Sequence, residues 1–151
     1  MTLRYLLDTS IVSAPIARRP DPAILERLSE RGPECAIAAP VWHELTYGSW
    51  RLPKGRRRAA LEAYLRDVVQ GSFTILAYDE AAATWHGKER ARLEALGRPA
   101  PFVDGQIAAI AHVRGLVLAT TNEKDFVRFR GLRVENWSKR HVRQKEEPIA
   151  E

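Results

Sequence analysis

The chain reads as an α/β domain: a central, mostly parallel sheet of about five strands flanked by helices. Two observations lead to this class. Short apolar runs suited to buried strands recur at residues 3–7, 35–38, 73–77, 116–119 and 132–137. The stretches between the earlier runs carry apolar residues at three- and four-residue spacing, the pattern of helices with one buried face. Strand followed by helix, repeated and ending in a strand, favours a parallel sheet wrapped by helices. No internal repeat, low-complexity tract or linker interrupts the pattern, and 151 residues make one domain, expected over 1–137 with a polar, flexible tail over 138–151.

Each element has its own signals. Residues 3–7 form the first strand, and Asp8 or Ser10 can cap the short helix after it. Arg18 to Pro22 is a loop, in which Asp21 and Pro22 supply the cap and first residue of a helix burying Ile24, Leu25 and Leu28. Gly32-Pro33 stops that helix before the second strand, 35–38. Pro40 opens a helix through Glu44, Leu45 and Tyr47, broken by Leu52-Pro53-Lys54-Gly55. Residues 56–69 are helical, with Leu61, Tyr64, Leu65 and Val68 on one stripe. After the third strand, 73–77, Asp79 caps a long helix ended by Gly97. Residues 103–114 make a strongly apolar helix stopped by Gly115, and 116–119 is the fourth strand. A helical turn over 123–129 leads to the last strand, 132–137, expected at an edge.

Composition narrows the classes. Hydrophobic residues make up 45% and charged residues 28%, as in globular domains. A chain of this length buries roughly 70% of its unfolded surface and needs no disulfide staples. The one cysteine, Cys35, cannot close an internal bridge, and no apolar stretch resembles a signal peptide or a membrane span. The expected location is therefore the cytoplasm, without a membrane partner. The net charge of +5 suits a polyanion as ligand.

Four segments carry the chemistry. Leu6-Leu7-Asp8-Thr9-Ser10 puts an acid at the end of a buried strand; Trp42-His43-Glu44-Leu45 and Phe102-Val103-Asp104-Gly105 put acids near helix starts; Thr120-Thr121-Asn122-Glu123-Lys124-Asp125-Phe126 adds a polar, acidic turn. A carboxylate bordering a core is costly unless something compensates it. Several acids at element ends repel one another, and a hard divalent cation such as Mg²⁺ or Mn²⁺ removes that cost. Metal-assisted hydrolysis of a phosphodiester is the reaction such a centre performs. The plain alternatives are a helix cap for Asp8, first-turn residues favoured by the helix dipole for Glu44 and Asp104, and surface turn residues for Asn122, Glu123 and Asp125. The hydroxyls of Thr9, Ser10, Thr120 and Thr121 either bind the carboxylates or serve as local caps.

Taken together these segments resemble the PIN-domain ribonucleases, and among them the VapC-type toxins, over residues 3–137. Tyr5-Leu6-Leu7-Asp8-Thr9-Ser10 resembles the family's first strand and first catalytic aspartate. Residues 39–48 resemble its glutamate-bearing helix, 102–111 its second-aspartate helix, and 118–126 its late strand and turn. The resemblance implies a single PIN-like fold and a Mg²⁺- or Mn²⁺-dependent endoribonuclease acting on tRNA or ribosomal RNA. It also implies a cognate antitoxin partner and a homodimer. It matches Asp8, Glu44 and Asp104 to the catalytic and metal-binding acids, with Asp125 as a fourth and Asn122 as a neutral oxygen ligand where some members carry aspartate.

Other patches were weighed beside these. Arg51, Lys54, Arg56, Arg57 and Arg58 form the densest cationic cluster and are candidates for RNA phosphates. Trp42, Tyr47 and Trp50 lie close to it, as base-stacking rings or as packing. Lys88, Arg90, Arg92 and Arg98 form a weaker cluster, and Ile16, Leu45 and Trp50 are candidate interface residues on the early helices. His43-Glu44-Leu45-Thr46-Tyr47 fails the zinc-protease pattern because Tyr47 replaces its second histidine. Cys35 reads as buried and inert. Two further functions compete: a catalytically silent RNA- or protein-binding module of the same fold, and a Mg²⁺-binding phospho-acceptor receiver domain, whose acceptor would be an aspartate following a middle strand.

Overall fold

The computed structural model describes residues 2–138. Five strands, β1 (Tyr5–Leu7), β2 (Cys35–Ala38), β3 (Thr74–Leu76), β4 (Val117–Thr120) and β5 (Val134–Asn136), form one sheet in the order β3-β2-β1-β4-β5. Every pairing is parallel, so the sheet is wholly rather than mostly parallel. Leu7 lies opposite Ile37 on one side and Ala119 on the other. The three inner strands are apolar because helices cover both faces: β1 and β2 are buried at every position.

Helices α1 (Thr9–Val12), α2 (Pro22–Arg31), α3 (Ala39–Trp50), α4 (Arg56–Tyr64), α5 (Glu80–Ala95) and α6 (Phe102–Val113) connect the strands. Their caps follow the residues that suggest them. The side chains of Asp8, Asp21 and Asp79 accept backbone N–H bonds at the starts of α1, α2 and α5. Chain order reverses about β1, whose neighbours β2 and β4 are reached in opposite directions. The crevice at the carboxyl ends of β1 and β4 is thus the place where such sheets bind ligands.

Several elements depart from expectation. The first and last strands span Tyr5–Leu7 and Val134–Asn136, shorter than 3–7 and 132–137, although the backbones of Arg4 and Trp137 still bond to neighbouring strands; Trp137 is fully buried against Tyr5, ring centroids 5.3 Å apart. The helix expected over 56–69 is α-helical only to Tyr64; Leu65–Gln70 winds as a π-helix with Leu65 and Val69 buried. The turn after β4 is a single 3₁₀ turn, Glu123–Asp125, rather than a helix to Phe129. Leu45 is buried at 8% exposure and is no interface residue, whereas Ile16 and Trp50 are exposed. The receiver reading fails on topology: β3 is an edge strand, and Asp79 after it is occupied as the cap of α5, accepting the Ala82 N–H at 3.0 Å. The proposed tail, apart from Ser138, lies outside the described residues.

The α5–α6 contact fixes where α6 starts. Ala82, His86, Glu89 and Leu93 are the buried stripe of α5. His86 Nδ1 is 2.8 Å from the Tyr78 hydroxyl, and its ring lies against Gly105, where any Cβ would run into the imidazole. Gly105→Ala is therefore expected to destabilise the protein by about 1–3 kcal/mol through overpacking, read as a lower midpoint in urea. An unchanged midpoint would show that His86 can give way.

Candidate active site

Asp8 ends the central strand and is only 8% exposed. Its Oδ1 accepts the Thr9 N–H at 2.9 Å; its Oδ2 accepts the Thr120 hydroxyl at 2.9 Å and the Ser10 hydroxyl at 3.3 Å. The cap reading of Asp8 is thus realised, and both of its oxygens are held by neighbouring groups. Burial nevertheless dominates and pushes its pKa up, the three hydrogen bonds pulling the other way and Glu44 adding to the rise. Thr120, fully buried on β4, ties the two sides of the crevice together, since its oxygen also accepts the Asn122 N–H at 3.0 Å.

Glu44 reaches the same place from α3. That helix begins at Ala39, so Glu44 stands in the second turn, and a first-turn dipole effect does not explain it. Its Oε2 accepts the Thr9 hydroxyl at 2.9 Å. Asp104 does stand in the first turn of α6. Its pKa is pushed up to about 6, by burial first and then by the charges of Asp125, Asp8 and Glu44, with Arg128 opposing. That one carboxyl feels the charges of all three other acids, and the hydrogen bonds of Thr9 link two of them, Asp8 and Glu44. Among the described residues no three carboxylate, imidazole or thiol side chains already stand in a closed ligand cage. Thr9 stands between Asp8 and Glu44, while Thr120 bonds Asp8 alone among the acids.

The backbone of Asn122 holds the turn after β4. Its carbonyl accepts the Asp125 N–H at 3.0 Å, so its backbone shapes the turn. Its exposed side-chain amide makes no hydrogen bond to a carboxylate among the described residues. Thr9, Ser10 and Thr120 do bond to the acids, while Thr121 contributes its N–H to Ser10 Oγ at 3.3 Å.

Sequence reading missed the brace behind Asp104 and Asp125. Arg92 forks onto Glu89 with bonds of 3.0 and 2.6 Å, and also donates to the Arg128 carbonyl at 3.0 Å. Arg128 in turn donates to the Pro99 carbonyl at 2.7 Å, tying the turn that carries Asp125 to the loop that starts α6. Glu89 is held below the ordinary carboxylate range, chiefly by Arg92. Arg92 is therefore a structural pin rather than part of a free cationic patch. The Glu89/Arg92 spacing of three on a helix hints at a pair; nothing in the sequence tells of Pro99 or Arg128.

The Arg51–Arg58 cluster also divides. Arg58 lies over the Trp50 ring at 4.4 Å, bonds Glu62 at 2.8 Å and reaches the Leu52 carbonyl at 3.4 Å. Arg51, Lys54, Arg56 and Arg57 are exposed. Trp42 packs against the core, while Tyr47 and Trp50 are exposed with arginines over their rings. Cys35 is buried, and its thiol is pushed up to about 12 by burial, as an inert residue requires.

The PIN-domain family profile matches residues 5–132. The tRNA(fMet)-specific endonuclease VapC of Shigella flexneri is 36% identical over 138 residues, 90% of this chain and 99% of that protein. Among solved structures, DNA-bound VapBC of Salmonella typhimurium aligns with a TM-score of 0.77 at 30% identity, covering 90% of this chain and 99% of that one. The FitAcB complex of Neisseria gonorrhoeae aligns with a TM-score of 0.81 at 27% identity, covering 87% and 96%.

The raised pKa of Asp104 has a consequence for stability. A carboxyl whose folded pKa lies above its unfolded value near 3.8 favours folding below that value, and the benefit is lost as pH rises through about 6. In EDTA at neutral pH, Asp104→Asn is therefore expected to melt above the wild type, with the difference shrinking as the pH falls below about 6. A lower melting temperature for the variant at neutral pH would show that the charge is compensated.

Proposed function

The chain belongs to the PIN-domain family, and from that premise we propose that it is a Mg²⁺- or Mn²⁺-dependent endoribonuclease, the toxin of a toxin–antitoxin pair. Asp8, Glu44 and Asp104 are its catalytic and metal-binding acids, with Asp125 as the fourth. The observation that carries this is the Asp104 carboxyl, raised to about 6 by burial and by the other three acids. Concentrated negative charge at a ligand-binding crevice is unfavourable for binding a polyanion, and it becomes useful once a cation sits between the acids and the phosphate.

The donor set fits that ion. It is made of oxygens alone, which suits Mg²⁺ or Mn²⁺ and not a soft metal. Mg²⁺ usually keeps several waters and takes only one or two carboxylates directly. When bound, such an ion supplies charge neutralisation at the scissile phosphoryl group and a more acidic water. The chain's own residues do the rest. Thr120, Ser10 and the Thr9 N–H fix both oxygens of Asp8, the Thr9 hydroxyl steers Glu44, and the Arg128 tie sets the turn of Asp125 against the start of α6. The backbone of Asn122 shapes that turn, which leaves its side-chain oxygen available as a neutral ligand in this reading.

A tRNA substrate is supported by the name of the Shigella flexneri relative, and an antitoxin partner by the VapBC and FitAcB complexes. No helix among the described residues is long and apolar enough to cross a membrane, which fits the cytoplasm, where that RNA is found. A homodimer belongs to the same proposal, with exposed Ile16 and Trp50 available to it or to the antitoxin.

The test is incubation of the purified protein with total tRNA and ribosomal RNA in Mg²⁺, Mn²⁺ or EDTA. Discrete products are expected with either metal and none with EDTA. Asp8→Asn is expected to slow cleavage by a factor on the order of 10² or more while keeping the fold. Cleavage that survives EDTA, or an Asp8→Asn variant as fast as wild type, would overturn the assignment.

A further inference from the structure

Helix α3 presents more than an acid to the crevice. Glu44, Tyr47, Gly48 and Arg51 recur at the spacing that puts side chains on one helix face. The face spans about 10 Å from Glu44 to Arg51 at 1.5 Å per residue. Glu44, Gly48 and Arg51 line one wall of a groove of about 410 Å³, and Arg57 of α4 and Ile16 line it too. The groove therefore leaves the acidic centre at Glu44 and is bordered by cations farther out.

Those cations differ from their neighbour. Arg58 is committed to Trp50 and Glu62. The side chains of Arg51 and Arg57 make no hydrogen bond or ion pair among the described residues, and the Arg51 guanidinium is steadied over the Tyr47 ring at 5.5 Å. Exposed guanidinium groups without carboxylates are the donors that phosphate groups fit. Between them the lining is apolar, made by Leu45, Leu52, Ala60 and Leu61 together with Gly48. Gly48 has open space where a side chain would stand: a Cβ there would meet nothing within 4 Å. Ile16 is 44% exposed beside it.

We propose that this groove seats the single-stranded RNA on its way to the acids, Arg51 and Arg57 each holding a backbone phosphate and the absent side chain of Gly48 leaving room for the nucleotide. The inference rests on the nuclease reading above and sharpens it: Arg51 and Arg57 are separated from Arg58, and the path of the strand is set along α3. An RNA is favoured over a peptide because the free groups on the walls are two unpaired cations leading to a site for phosphodiester chemistry.

The test measures binding of labelled random-sequence oligoribonucleotides to the full chain in EDTA, where the strand is not cut, across a series of salt concentrations. Arg51→Ala and Arg57→Ala are each expected to reduce the slope of log affinity against log salt by about 0.7, the value for one phosphate of a single strand. Arg58→Ala is expected to keep the slope and to lower the melting temperature. Gly48→Leu is expected to weaken binding by tenfold or so while melting no lower than wild type, because it fills open space and favours the helix. Tyr47→Ala is expected to weaken binding and Tyr47→Phe to restore it. Undiminished slopes for Arg51→Ala and Arg57→Ala, undiminished binding by Gly48→Leu, or no binding by wild type at low salt would each overturn the groove. A wild type that cuts RNA while the variants keep full slopes removes the groove and leaves the nuclease. One that shows the expected slopes but never cuts removes the nuclease and leaves an RNA-binding groove.

Discussion

Repulsion among carboxylates at the carboxyl edge of a parallel sheet is the constraint on which this structure turns. Asp8 must be buried because it follows the central strand directly, and Tyr5, Leu6 and Leu7 before it are core residues. A buried charge needs hydrogen bonds, and the neighbouring strand supplies one through Thr120 while α1 supplies the Thr9 N–H and the Ser10 hydroxyl. Glu44 and Asp104 then raise the local negative potential instead of lowering it. The fold holds this arrangement because parallel strands converge at one edge, where each following helix starts. What makes the site costly to the free protein is the same feature that, in the proposed function, selects a cation.

The scaffold resists the repulsion with contacts that lie away from the crevice. His86 sits buried against Gly105, below the usual histidine range because burial disfavours its charged form, and so it packs as a neutral ring one residue from Asp104. Arg92, held by Glu89, donates to the Arg128 carbonyl, and Arg128 holds the loop before α6. These ties come from α5, which carries none of the four acids. The long helix is thus a backing plate: its buried stripe includes two polar residues, and each is paired with groups that locate α6 or the last turn.

Local signals carried most of this into the sequence. Asp21 before Pro22, Asp79 before an alanine run and the apolar strands each rest on interactions between near neighbours, and these were legible. So were the four acids, because an acid beside a run of core residues is conspicuous whatever it contacts. The terms that decided the rest are long-range. Leu45 is buried because α3 packs on the sheet, although its neighbours Glu44 and Thr46 read as a mixed face. Arg58 and Arg57 are adjacent and identical in type, yet one is stacked on Trp50 and the other faces the groove. The turn role of Asn122, the plain alternative for that residue, is what its backbone hydrogen bonds show. The switch from α to π winding at Leu65 has no signal that we find in the residues.

The central claim is that Asp8, Glu44 and Asp104 surround one divalent cation. Anomalous diffraction at the manganese edge, from crystals grown with Mn²⁺, tests it without reference to any substrate. The account expects a single strong peak in the crevice at the ends of β1 and β4, with oxygens of at least two of these three acids bound to it directly or through water. A well-ordered crystal with no peak there, or with manganese held only by acids elsewhere on the chain, would contradict it.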